Sequence, residues 1–199
     1  MGEVGCLKDG HFQNLQVENT TILDTGNTTM IGTLTVNGAT SLATTAQMAA
    51  GTGITAATGG LYKASVYTIG NIIYTTILID ITGLQDHGSA QTIIGKDGDT
   101  ANSHIGQITA AVNGTIFGGR MTCLEVPDGG HADFDLYSSP TGTGAQATAI
   151  SDLTGTAVIL INNGAHTIGK VSPFTDAATA ANEPSADDYL YLVSNGDGS

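Results

Sequence analysis

Tryptophan is absent from the 199 residues, and lysine and arginine together number only five. These five, Lys8, Lys63, Lys96, Arg120 and Lys170, stand singly along the chain. A phosphate backbone or an anionic membrane surface is held by clustered cations, so the sequence argues against nucleic acid and membrane as direct partners. Eighteen acidic residues leave a net charge of −13, which favours solubility and opposes non-specific adhesion. The two cysteines, Cys6 and Cys123, cannot build a disulfide framework. They can form one bridge at most, and a free Cys123 on an apolar strand face is the expectation. No apolar run has the length of a membrane-spanning helix, and the longest candidate, "IIYTTILIDITGL", contains Asp80. The start, "MGEVGCLKDG", lacks the basic region and apolar run of a secretory signal, and Cys6 stands where a myristoylation signal has Ser or Thr.

What is present favours strands. Glycine counts 28, and hydrophobic residues make up 40%, enough for a core. Threonine, valine and isoleucine are common, while the strong helix formers Glu and Lys are few. Residues 1–60 contain two short alternating pieces, "NLQVEN" and "TLTVNG", followed by the Ala/Thr/Gly-rich stretch "ATTAQMAAGTGITAATGG". That last stretch reads either as a linker or as chain packed tightly around a symmetry axis. The region has too few aliphatic side chains to offset the backbone entropy of sixty residues, so it requires either the C-terminal domain or copies of itself. Residues 61–199 form a series of strand candidates: "LYKASVYTI", "NIIYTTILIDIT", "AQTIIG", "IGQITAAVNGTIFGG", "ADFDLYS", "TAVILIN" and "DYLYLVS". Period-two spacing puts Ile73, Ile77, Ile79 and Ile81 on one face, expected with Phe134 and Leu136 to make up the inner face. Asn113-Gly114 and Asn163-Gly164 carry the strongest short hairpin signal. The pattern predicts an all-β chain, an antiparallel sandwich or barrel.

The chemistry-bearing constellations are sparse. In "DGGHADFD", His131, Asp133 and Asp135 fall on one strand face opposite Ala132, Phe134 and Leu136. Such a row can ligate a metal only with help from a neighbouring strand, and a solvated face is the expectation, so Asp133→Ala should be nearly neutral. "KDGDTANS" starts like a calcium loop at Asp97 and Asp99, but Ala101 and Asn102 occupy positions that need a ligand and a glycine. It is therefore read as a plain turn. No nucleophile elbow, phosphate loop or zinc-protease motif occurs, and no cofactor is expected.

The run "GTLTVNGATSL" resembles the short repeats in fibre shafts of tailed bacteriophages. The runs "YTTILIDITGL", "IGQITAAVNGTIFGGRMTCLEVPDGG", "DFDLYS" and "DDYLYL" resemble a jelly-roll domain found in virion structural proteins of marine and cyanobacterial tailed phages. The resemblance implies a non-enzymatic virion protein assembled in the host cytoplasm, a capsid decoration (cement) or head-fibre protein. Residues 1–60 would be a trimerising or capsid-anchoring segment, and residues 61–199 a jelly-roll-like antiparallel β-sandwich. The implied partners are two further copies in a homotrimer and the major capsid protein or another virion protein. The implied interface residues are Leu15, Val17, Ile22, Leu23, Met30, Leu34, Val36 and Leu42. The rival is a tail-fibre or spike protein recognising a host surface glycan. The resemblance also implies a further apolar strand after "YLYL", which leaves the pairing of that last strand open.

Overall fold

The computed structural model describes residues 48–86, 88, 91–96, 98, 100–127, 132–155, 157–162, 164–174 and 183–195. All of them lie in one compact unit, Thr44–Ser199; the other unit, Met1–Ala43, is outside the described residues. In chain order the elements are α1 (Thr52–Thr55), β1 (Leu61–Ile69), β2 (Ile72–Asp80), β3 (Leu84–Gln85), β4 (Thr92–Ile93), β5 (Gly95–Lys96) and β6 (Gly106–Gln107). They continue with α2 (Ala110–Asn113), β7 (Arg120–Thr122), β8 (Phe134–Ser139), a 3-10 turn at Ile150–Asp152, β9 (Val158–Ile161), β10 (Val171–Pro173) and β11 (Tyr189–Ser194). The unit is all-β, and every strand pairing among its described residues is antiparallel.

The largest sheet runs β4-β11-β8-β9, with β6 sharing the β4 edge of β11. The last strand is therefore an inner strand, held on one side by β8 from Tyr189↔Ser139 to Ser194↔Phe134. On the other side it receives Ile94 N–H at Leu192 O (2.9 Å) and Ile105 N–H at Leu190 O (2.7 Å). "YLYLV" is apolar at both parities because both faces of β11 are covered. Leu190 and Leu192 join Met48, Ile54, Ile94, Ile105, Ile108, Leu160 and Ile161 in one core. Tyr191 and Val193 join Ile93, Tyr137, Ile150 and Leu153 in a second. The Tyr191 hydroxyl, fully buried, donates to Thr141 O (2.7 Å) and accepts from Gly144 N–H (3.2 Å), so its burial leaves no lone polar group.

Several sequence expectations change here. Asn113-Gly114 does not turn a hairpin. It ends the single helical turn α2, where Asn113 Oδ1 accepts Thr109 N–H (2.8 Å) and Nδ2 donates to Thr75 Oγ1 (2.9 Å). The same pair that suits a hairpin also suits a helix stop, because Gly114 has φ +66°. The strands flanking Asn163-Gly164 do not pair with each other: β9 lies on β8, and β10 lies on β7. The small residues of "GTGIT" serve close packing within the chain. Gly51 N–H bonds His104 O and Gly53 N–H bonds Asn102 O, each at 2.8 Å, and a Cβ on Gly51 would sit 2.0 Å from Asn102 O. Met48 and Ile54 are buried in this core, so it includes residues ahead of residue 60.

Candidate functional site: an apolar β-ribbon

Among the described residues the strands β1 and β2 pair only with each other, over nine residue pairs from Leu61↔Asp80 to Ile69↔Ile72. The two-residue connection Gly70-Asn71 closes the hairpin, with Gly70 at φ +61° as a tight hairpin turn requires. This turn signal is plain in "IGNI", although the longer apolar run hides it.

Alternation gives the ribbon two faces. Inward are Tyr62, Ala64 and Val66 on β1 and Thr75, Ile77 and Ile79 on β2, all half-buried. Tyr62, Ala64, Ile77 and Ile79, with Ile81 just beyond, pack on the first core. Tyr62 anchors the base: its hydroxyl donates to Ile105 O (2.7 Å), and burial pushes its pKa up to about 12. Ile73 shares the inward parity of Ile77 and Ile79 but is exposed, because the tip of the ribbon extends past the core. The expected inner-face set therefore holds for Ile77, Ile79 and Ile81, as it does for Phe134 and Leu136, which pack on the same core, and fails for Ile73.

Outward, the cross-strand rows from base to tip are Leu61/Asp80, Lys63/Leu78, Ser65/Thr76, Tyr67/Tyr74 and Ile69/Ile72. Six of these side chains are large and apolar, and all six are between 41% and 63% exposed. The Tyr67 and Tyr74 rings stack with centroids 5.3 Å apart and planes at 12°. At the base, Asp80 accepts hydrogen bonds from Thr82 Oγ1 (2.7 Å) and Thr82 N–H (3.0 Å), which hold its carboxyl below its ordinary range. The sequence signal for this face was apolar residues at both parities of "IIYTTILID". A strand lying flat on a core needs only one.

The other candidates resolve as follows. Leu15, Val17, Ile22, Leu23, Met30, Leu34, Val36 and Leu42 lie outside the described residues, as do His131, Asp97, Asp99 and Cys6. Cys123 is a buried free thiol whose Sγ contacts Glu125 O at 3.2 Å. The solvated-face expectation fails at Asp135, which is 1% exposed and has neither oxygen hydrogen-bonded among the described residues. It sits opposite Val193, on the face that also carries Tyr137 and the second core. Burial first, and the Asp133 carboxylate second, push its carboxyl up to about 6. Asp133 itself is half-buried.

Among the described residues no three His, Cys, Asp or Glu side chains converge as a metal site, and no helix is long and apolar enough to cross a membrane. Chelation is expected to leave the melting temperature unchanged within a few degrees. A rise on adding calcium that disappears in Asp135→Asn would instead place a cation at Asp135.

Two open hollows mark the described surface. One is lined by Ala110, Gly114, Ile116, Glu183 and Pro184. The other is lined by Met48, His104, Gln107, Val112 and Tyr189. In the second, His104 meets the Tyr189 ring edge-on at 4.9 Å, and burial holds its imidazole below the ordinary histidine range. The first also carries Thr115 and Ser185 beside Glu183, and the second carries Thr109 beside His104; Thr109 Oγ1 and His104 Nδ1 have no hydrogen-bond partner among the described residues.

The described unit thus belongs to the all-β antiparallel class, with a β-sandwich-like character and a protruding ribbon as its distinctive surface. No family model matches the chain, and neither a curated protein nor a solved structure shows significant similarity to it.

Proposed function

We propose that the chain is a non-enzymatic virion structural protein, a trimeric capsid decoration or head-fibre protein of a tailed bacteriophage with a jelly-roll-like outer domain. The observation that carries this reading is the ribbon. The molecule presents an apolar face suited to contact with another protein chain, as a protein that works by assembly would. The resemblance of "GTLTVNGATSL" to fibre-shaft repeats and of "GGRMTCLEVPDGG" with "DFDLYS" to phage virion domains supports the same reading. So does the acidic, cation-poor surface, which would not compete with the capsid for the genome.

The test is location. An antibody against the chain, applied to purified particles from its source, should decorate the head shell in electron micrographs. Label on a tail-fibre tip would favour the glycan-recognition rival, and particles free of the chain would overturn both. One observation favours that rival: the exposed Tyr67–Tyr74 pair is a platform on which a sugar ring could stack. A glycan array that binds the native chain but not Tyr74→Ala would select it.

A further inference from the structure

We infer that the outward face of the β1–β2 ribbon is a twofold interface between copies of this chain, each ribbon covering its counterpart. This inference does not depend on the virion reading.

Area is the first reason. Six large side chains, each roughly half exposed, present about 500 Å² of apolar surface on one face. A stable interface takes about 800 Å² per partner, a little over half of it apolar, so the ribbon supplies what one side of such a contact needs.

Charge is the second. A chain of net charge −13 repels its own copies over most of its surface. The outward face carries one cation, Lys63, and one anion, Asp80, and so is neutral. It is a surface on which two acidic molecules can approach without that penalty.

The third reason is the missing protection. Monomeric proteins rarely expose an apolar patch of this size, and here it runs along two nine-residue strands in unbroken register. A two-stranded ribbon is also marginal in water unless its faces are covered. The core covers the inward face at the base, and a second copy would cover the outward one.

The rows themselves fix the geometry. Ser65/Thr76 is the middle row and has the smallest side chains. A twofold axis across the ribbon at that row lays β1 over β1 and β2 over β2 in reversed direction. Thr76 then meets Thr76 and Ser65 meets Ser65, where small side chains let the ribbons approach. Lys63 falls over the Tyr67 ring of the second copy, a cation–π pairing, and Leu78 falls over its Tyr74. Leu61 meets Ile69. By the same operation Asp80, already held by Thr82, falls over Ile72 at the rim of the contact. The contact is isologous, so it closes at two copies.

The experiment is a charge swap at the axis, read by native mass spectrometry of the full chain. The wild type is expected as an even multiple of the protomer: a dimer, or a hexamer if the N-terminal segment also forms trimers. Thr76→Asp and Thr76→Lys each place like charges face to face and should each halve that mass. An equimolar mixture of the two variants should restore it. Thr76 is exposed, so neither substitution disturbs the core, and rescue by mixing rules out misfolding as the cause. A wild-type monomer, an odd-numbered assembly, or variants whose mass is unchanged would each overturn the inference. The same holds if halving occurs but mixing does not restore the mass. A dimer that becomes a monomer would support the ribbon contact while removing the trimer from the virion reading, so the two proposals fail separately.

Discussion

Replacing Leu160 by alanine is expected to cost about 2–5 kcal/mol, the range for emptying a fully enclosed leucine site. Leu160 and Ile161 are consecutive residues of β9, yet both are 0% exposed and both belong to the first core. Simple alternation would send them to opposite faces. The register on β8 instead passes from Leu136↔Ile161 to Tyr137↔Ile159, so β9 holds one extra residue at this point. That bulge lets Leu160 turn into the same core as its neighbour. Ile79→Ala is the control. Ile79 is only half-buried on the ribbon, so its truncation should cost about 1–2 kcal/mol. Urea unfolding of the two variants measures the difference, and equal losses would mean that the ribbon is as deeply packed as the central sheet.

Asp135→Asn is expected to stabilise the protein at pH 8 and to leave it nearly unchanged at pH 4. The Asp135 carboxyl is pushed up to about 6 in the folded chain, from an ordinary value of 3.8. An acid raised in this way keeps its proton in the folded state after the unfolded chain has released it. Below about pH 4 both states are protonated and the group costs nothing through ionisation. Between pH 4 and 6 the penalty grows, and above pH 6 it is constant at about 3 kcal/mol, since each pKa unit is worth about 1.4 kcal/mol. Asparagine has nearly the same shape and no charge, but its buried amide keeps part of the desolvation cost. The net gain at pH 8 should be about 1–3 kcal/mol, a rise in melting temperature of roughly 3–8 °C. Comparing the two proteins at each pH cancels the other titrating groups. A variant less stable than the wild type at pH 8 would mean that the carboxylate has a favourable partner, and the calcium experiment would then identify it.

Much of the architecture was legible in the residues. Alternation, β-branched composition and Gly/Asn/Asp turns are local properties, and they specified an all-β chain with strands at "LYKASVYTI", "DFDLYS" and "YLYLVS". The inward parity of Ile77 and Ile79 was legible for the same reason. Because a strand's side chains alternate, the pattern shows which residues share a face. It does not show what covers that face, which depends on residues distant in sequence. Asp135 read as solvated because aspartate usually is, yet β8 is an inner strand between β11 and β9, and the face carrying Asp135 and Tyr137 lies over the second core. Asn113-Gly114 fits two turn geometries, and the contact from Asn113 to Thr75, 38 residues away, favours the helical one. Ile73 has the right parity for burial, and it is bare because the core ends short of the ribbon tip. The sequence by itself determined strand identity, side-chain parity and the charge that sets this protein against its own copies. The tertiary structure decided which faces are closed and that, among the described residues, one apolar ribbon face stays open, because burial is a property of the surfaces brought together and no single segment encodes both.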